Sequence, residues 1–96
     1  ERYRPGKVVS IHQPLHCLDY TGRRGRALAA AMARHNGYRR VDGNRRVLPG
    51  CLGGYCGLRL GLAMVTLELP RVGVEGAWRA NRGALLAAIR WRDPEH

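Results

Sequence analysis

The stretch Met64-Val-Thr-Leu-Glu-Leu-Pro70 constrains the fold more than any other part of the chain. Its apolar residues surround one carboxylate, that of Glu68, and Gly61 precedes the run. An apolar run of this length between a glycine and a proline predicts a buried strand. Because proline cannot donate to a sheet ladder, we expect the strand to end there, with Glu68 near its carboxyl end.

A glutamate in a buried strand needs a partner or a chemical role. One interpretation pairs Glu68 with one of the many arginines of the chain. The other follows from the rule that open α/β sheets bind ligands beyond the carboxyl ends of their strands. The pattern alone leaves both interpretations open.

A second strand is predicted over Lys7–Ile11, where β-branched residues dominate. His12 follows at its carboxyl end, and Pro14 ends any strand pairing. His12 and His16 have the i, i+4 spacing of a helical metal pair, but a strand precedes them and Pro14 lies between them. The two imidazoles therefore need not share a face.

The first helix is predicted over Arg26–Asn36, with Leu28 and Met32 on one face and Gly37 as a left-handed C-cap. The segment before it, Asp19–Gly25, is polar and contains glycine, so it is interpreted as a loop. Tyr38–Leu48 is basic and irregular, with one short strand expected around Val47.

Two further helices are predicted in the second half of the chain. Pro49–Gly61 is interpreted as a loop that leads into a short helix, because Leu52, Tyr55 and Leu58 are spaced three apart. Glu75–Trp91 is predicted as a longer helix, which Asp93-Pro94 ends. Its apolar residues fall on one stripe: Trp78, Leu85 and Ile89.

The order strand, helix, short helix, strand, helix predicts the α/β class, with parallel strands covered by helices. A sheet of two parallel strands is a poor fold by itself, since its faces and edges need cover. The chain also starts at Glu1 without a methionine. We therefore expect these 96 residues to be part of a larger α/β domain, with an upstream segment or another chain completing it.

The net charge of +10 comes almost entirely from arginine, which supplies 16 of the 17 basic residues. The arginines are scattered and few aromatic residues lie between them, so a nucleic-acid partner is not expected. Long-range attraction still favours anionic partners. No apolar run is long enough to span a membrane. An odd count of three cysteines favours free thiols in a reducing compartment, and so the cytoplasm.

Three segments resemble the zinc carboxypeptidases of the carboxypeptidase A superfamily, above all the bacterial murein peptide amidase branch. Ser10–Tyr20 resembles the segment that carries the third zinc ligand. Leu48–Cys56 resembles the Pro-Gly-Ser stretch of that branch, although Cys51 and Gly54 stand where serine is usual. Val65–Pro70 resembles the strand of the catalytic glutamate. The segments follow the family's order and span most of the chain.

The resemblance implies two roles: His12 is the third zinc ligand, and Glu68 is the general base that takes a proton from the water. The implied reaction is hydrolysis of an amide next to a free carboxylate, in peptides or in peptidoglycan-derived peptides. The chemistry is consistent, because zinc polarises a carbonyl and acidifies water. Substrate contacts are expected at Tyr55 and His16.

The family's first two zinc ligands lie on a His-x-x-Glu motif upstream of the third, and only eleven residues precede His12 here. Residues 1–96 are therefore interpreted as the C-terminal part of the catalytic domain, inactive in isolation, with one zinc ion whose remaining ligands come from elsewhere. His16 and Cys17 are expected to line the pocket or pack beneath it; as an alternative, they complete the zinc site. Other functions kept open are a zinc deacylase of the aspartoacylase and succinylglutamate desuccinylase type, and an inactive basic binding remnant.

Overall fold

Strands and helices alternate along residues 6–43 and 52–94, the part of the chain that a computed structural model describes. The elements in chain order are β1 (Lys7–His12), β2 (Cys17–Thr21), α1 (Gly22–Asn36), β3 (Arg40–Asp42), a π-helical turn (Gly54–Arg59), β4 (Ala63–Glu68) and α2 (Val74–Arg90). The predicted α/β class is confirmed, and so are the strands that end near His12 and Glu68.

The strands form one mixed sheet in the order β1-β4-β2-β3. β4 is parallel to β1 and antiparallel to β2, and β2 is parallel to β3. The sequence predicted β1 and β4, but Asp19–Gly25, which contains the second half of β2, was interpreted as a polar loop. That interpretation was wrong, because Cys17 and Leu18 are buried against β4, and pairing to both neighbours outweighs the polar composition of the segment.

The main core lies between one face of the sheet and the two helices. Alternate residues of β4, Ala63, Val65 and Leu67, face this core and are fully buried. Leu28 and Met32 of α1 pack against them from the helix side. Fully burying a side chain of this size stabilises the folded state by about 1.5–3 kcal/mol relative to leaving it exposed. This interface is therefore the main source of stability.

α1 begins four residues earlier than predicted, at Gly22 instead of Arg26. Gly25 looked like a loop residue in the sequence, but it is buried where the helix crosses β4. A Cβ at this position would collide with the backbone carbonyl of Met64. The glycine therefore permits close packing of helix on sheet. The predicted cap is confirmed: Gly37 has a left-handed φ of 67°.

α2 packs through a different stripe from the one its large apolar residues suggested. Its buried residues are Asn81, Ala84 and Ala88. Trp78 and Ile89 are 57% and 71% exposed, and Leu85 is half-buried. The prediction that the large residues mark the core-facing side was wrong for Trp78 and Ile89, whereas Leu85 packs against the main core. α2 packs mainly on α1, through a buried side on which small residues allow the two helices to approach closely.

A second, smaller core covers the opposite face of the sheet at one end. Cys56 and Leu62 pack there against Met64, with Val8 beside them. Cys56 belongs to the π-helical turn, which confirms a short helix in the predicted region. The expected strand around Val47 and the thiol of Cys51 lie outside the described residues; within them, the short strand β3 covers Arg40–Asp42.

None of the helices in the described part of the chain is long and apolar enough to cross a membrane.

Candidate active site

His12 and Glu68 are direct register partners at the carboxyl ends of the parallel strands β1 and β4. Side chains of directly paired residues project from the same face of a sheet. The sequence predicted that the two would converge if their strands were parallel neighbours, and the observed register brings them together. The imidazole is exposed and the glutamate is half-buried.

The alternation of side chains along the strands shows which face this is. Val8 and Met64 lie four residues before His12 and Glu68, and both contribute to the smaller core. Because strand side chains repeat every two residues, His12 and Glu68 project from that same face. It is the face opposite the two long helices.

Cys17 completes a row of three across the sheet, since it is the antiparallel register partner of Glu68. Its thiol group is buried, with the residue only 2% exposed. The row is not a metal site by itself: within residues 6–43 and 52–94, no three side chains of the His, Cys, Asp or Glu type come close enough together to hold a metal ion.

The carboxylate of Glu68 has an unusual environment. Its Oε1 atom is buried and accepts no hydrogen bond from any described residue. No arginine of the described segments pairs with it. Burying a carboxylate oxygen without a hydrogen-bond donor costs about 1–3 kcal/mol or more in desolvation free energy.

His16 lies apart from this row. It has a left-handed φ of 52°, four residues after His12 and beyond the cis Gln13–Pro14 bond. Its ring packs edge-on against Tyr38, with ring centroids 4.5 Å apart and an interplanar angle of 85°. Tyr38 belongs to the main core and accepts a hydrogen bond from Asn81. The structure therefore anchors His16 to the helix-side core rather than bringing it to Glu68.

Tyr55 lies on the π-helical turn and is 54% exposed. That turn contacts Thr21 and Met64, which are register partners of each other. Met64 precedes Glu68 by four residues, a distance of about 13 Å along a strand. Tyr55 is thus on the correct face of the sheet but belongs to an element at its other end.

One further residue of interest, Arg71, was not predicted from the sequence. Arg71 directly follows Pro70 and lines an open cavity of about 530 Å³ together with Gln13, Pro14, Val72 and Gly73. Gln13 and Pro14 follow β1 and Arg71 comes shortly after β4, so this cavity lies beyond the carboxyl ends of the two strands; His12 and Glu68 are not among its lining residues. An exposed guanidinium at this position can bind a carboxylate in a bidentate manner. Its signal in the sequence is only its position, three residues after Glu68.

No family model and no curated protein matches the chain. Among solved structures it is similar to the crystal structure of murein-tripeptide amidase MpaA from Escherichia coli O157, with a TM-score of 0.67 and 27% sequence identity. The match covers 92% of this chain but 36% of the amidase chain, so this chain spans about a third of that protein. In fold and in sequence, the chain is similar to part of a murein-tripeptide amidase.

Proposed function

We propose that this chain carries part of the active site of a zinc-dependent amidase or carboxypeptidase that cleaves an amide bond next to a free carboxylate. The observation that carries the proposal is the pairing of His12 with Glu68, whose Oε1 is buried and accepts no hydrogen bond from residues 6–43 and 52–94. The similarity to a murein-tripeptide amidase supports a peptidoglycan-derived peptide as the substrate.

In this mechanism Glu68 is the general base. Its carboxylate accepts a proton from the attacking water as the water oxygen bonds to the amide carbon. The same carboxyl group then delivers the proton to the leaving nitrogen as the C–N bond breaks, so that no net proton is taken up by the protein. A carboxylate that pairs with no arginine of the described segments suits this role, because its lone pairs stay available to the water.

His12 suits the role of one metal ligand, since its imidazole is exposed beside Glu68 at the strand end. A bound zinc ion supplies Lewis acidity, which polarises the carbonyl and lowers the pKa of the water. A catalytic zinc site takes three protein ligands. The described residues offer one imidazole at this position, so the proposal requires further ligands from outside them.

The proposal also names the residues that bind the substrate. Arg71 binds a carboxylate of the peptide from the cavity at the same sheet end. The net charge of +10 attracts such an anion over longer distances. Tyr55 and His16 remain proposed contacts to more distant parts of the substrate, which would have to extend beyond the His12–Glu68 row.

The proposal is tested with a fusion protein. The part of the E. coli amidase that this chain does not match is joined to the N-terminal side of Glu1. We expect this fusion to hydrolyse murein tripeptide in a zinc-dependent reaction. Glu68→Gln should lower kcat by about 10²–10⁴-fold with the zinc content unchanged. His12→Ala should lower the zinc content itself.

Glu75→Gln is the matched control, because Glu75 is an exposed carboxylate in the first turn of α2. It should leave turnover and zinc content unchanged. Normal turnover by the Glu68→Gln fusion would show that Glu68 is not the base. Hydrolysis of N-acyl amino acids in place of the tripeptide would assign the site to a deacylase.

A further inference from the structure

Three arginines line one open cavity where α1 ends and β3 begins. The cavity has a volume of about 560 Å³, and Arg34, Arg39 and Arg40 contribute to its wall. All three residues are exposed. Among the described residues that line the cavity, none is acidic. The cavity therefore presents three positive charges to a single ligand.

The charges of these arginines are not balanced within the described part of the chain. None of the three guanidinium groups forms a salt bridge or a hydrogen bond with a described residue, whereas Arg24 pairs with Asp93 at 3.1 Å. The C-terminal end of α1 carries a partial charge of only about −0.5. One of its carbonyls, that of Ala33, already accepts a hydrogen bond from Gly37 N. The three positive charges outweigh this dipole, so the cavity favours an anion.

The segment that carries Arg39 and Arg40 is held in place by backbone hydrogen bonds and by the main core. Arg39 O accepts a hydrogen bond from Leu18 N at 2.8 Å, and Arg40 is the register partner of Leu18. Tyr38 is buried in the main core, and its N–H donates to Asn36 Oδ1 at 3.0 Å. These backbone positions are fixed before a ligand arrives, which lowers the entropic cost of binding.

The number of guanidinium groups indicates the class of anion. One arginine can satisfy a carboxylate by itself through two parallel hydrogen bonds. A phosphate group on an organic molecule carries about −1.5 to −2 charges at pH 7 and offers three acceptor oxygens, so it can engage several arginines at once. The cavity therefore suits a phosphate group better than a single carboxylate.

The size of the cavity indicates that the phosphate belongs to a larger molecule. Its volume lies within the range of about 300–1,000 Å³ that is typical of small-molecule sites. Ala30, Ala33 and Gly37 line the part of the wall between the arginines and α1, and their side chains are small or absent. This wall leaves room for the organic part of a ligand.

We propose that Arg34, Arg39 and Arg40 form a binding site for the phosphate group of a small phosphorylated molecule. The guanidinium groups donate hydrogen bonds to the phosphate oxygens, and the organic part of the ligand lies along α1. The site is separate from the candidate active site, because β3 lies two strands away from β4 in the sheet. The inference goes beyond the proposed function and does not depend on it.

The test is an NMR titration of the 96-residue chain with inorganic pyrophosphate at about 0.1 M salt, where attraction beyond about 10 Å is largely screened. The amide resonances of Gly37, Arg39 and Arg40 should shift together and saturate. Arg39→Gln combined with Arg40→Gln should raise the Kd at least about tenfold, because charge-assisted hydrogen bonds are lost. The matched control, Arg79→Gln with Arg82→Gln, removes the same charge from exposed positions of α2 and should change the Kd by less than about twofold.

Arg34→Gln alone keeps the test valid if the double variant does not fold, and it should raise the Kd at least about threefold. Equal weakening by the two double variants would overturn the proposal, because the net charge rather than the cavity would then attract the anion. Shifts that do not saturate would overturn it as well. A DNA oligonucleotide that binds more tightly than pyrophosphate, and whose binding is lost in the Arg39→Gln, Arg40→Gln variant, would assign the surface to nucleic acid instead. The readout needs neither zinc nor turnover, so failure of the proposed function leaves it unaffected.

Discussion

Asn81 is the polar residue at the centre of the contact between the two helices, and its removal should be among the costliest single changes. It is 1% exposed. Its Nδ2 donates to the Tyr38 hydroxyl at 3.0 Å and to Ala77 O at 3.1 Å. Its Oδ1 accepts from Asn36 Nδ2 at 3.0 Å. These bonds tie α2 to the end of α1 and to the tyrosine that holds His16.

The Asn81→Ala substitution leaves two groups short of a partner, the Tyr38 hydroxyl and the Asn36 amide. Each such loss costs about 1–3 kcal/mol when the group is buried. Alanine recovers about 0.5 kcal/mol through its higher helix propensity. The expected net loss in the free energy of unfolding is about 1.5–5.5 kcal/mol, a large part of the ~5–15 kcal/mol typical of a folded protein.

The assay is urea unfolding followed by circular dichroism, with Asn81→Ala, Tyr38→Phe and the double variant measured together. Tyr38→Phe removes only the hydroxyl, so the cycle isolates its bond to Asn81, with an expected coupling of about 1 kcal/mol. Arg82→Ala on the exposed side of α2 is the control and should change stability by less than about 0.5 kcal/mol. A cost below about 0.5 kcal/mol for Asn81→Ala, or strict additivity in the cycle, would refute the reasoning.

Two further predictions concern close packing and charge. Gly25→Ala should destabilise the chain by about 1–3 kcal/mol or more, because the added Cβ meets the Met64 carbonyl. The same change at exposed Gly76 in α2 should stabilise the chain by about 0.5–1 kcal/mol. Equal effects of the two substitutions in urea unfolding would contradict this prediction. Burial lowers the pKa of Lys7, and the positive charge of Arg92 lowers it further. In an NMR titration, Arg92→Ala should therefore raise that pKa only in part, and a complete return to the ordinary lysine value would show that burial is not the larger cause.

Local patterns predicted the elements that carry their own signal. β4 followed from an apolar run between Gly61 and Pro70, and β1 from β-branched residues before Pro14. The face of α1 followed from the spacing of Leu28 and Met32. In each case the residues that determine the element lie within a few positions of it, so the sequence is sufficient.

The features that the sequence patterns did not predict depend on contacts with segments distant in the chain. β2 is polar in its second half and becomes a strand because β4 and β3 pair with its two edges. Gly25 breaks helices in isolation but is required where α1 presses on β4. The large apolar residues of α2 indicated a core-facing stripe, although Asn81 and two alanines occupy that side. These outcomes reflect packing distance, which a local pattern does not contain.

For the candidate site, the sequence by itself determined the types of residue: an imidazole after one strand and a carboxylate near the end of another. It could not determine that His12 and Glu68 are register partners, that Glu68 Oε1 is buried, or that the ring of His16 packs against Tyr38. Those facts depend on which strands are neighbours and in what register, and pairing is decided by contacts between segments more than twenty residues apart. Composition and spacing fix the chemistry that is available, whereas the tertiary structure decides which groups meet.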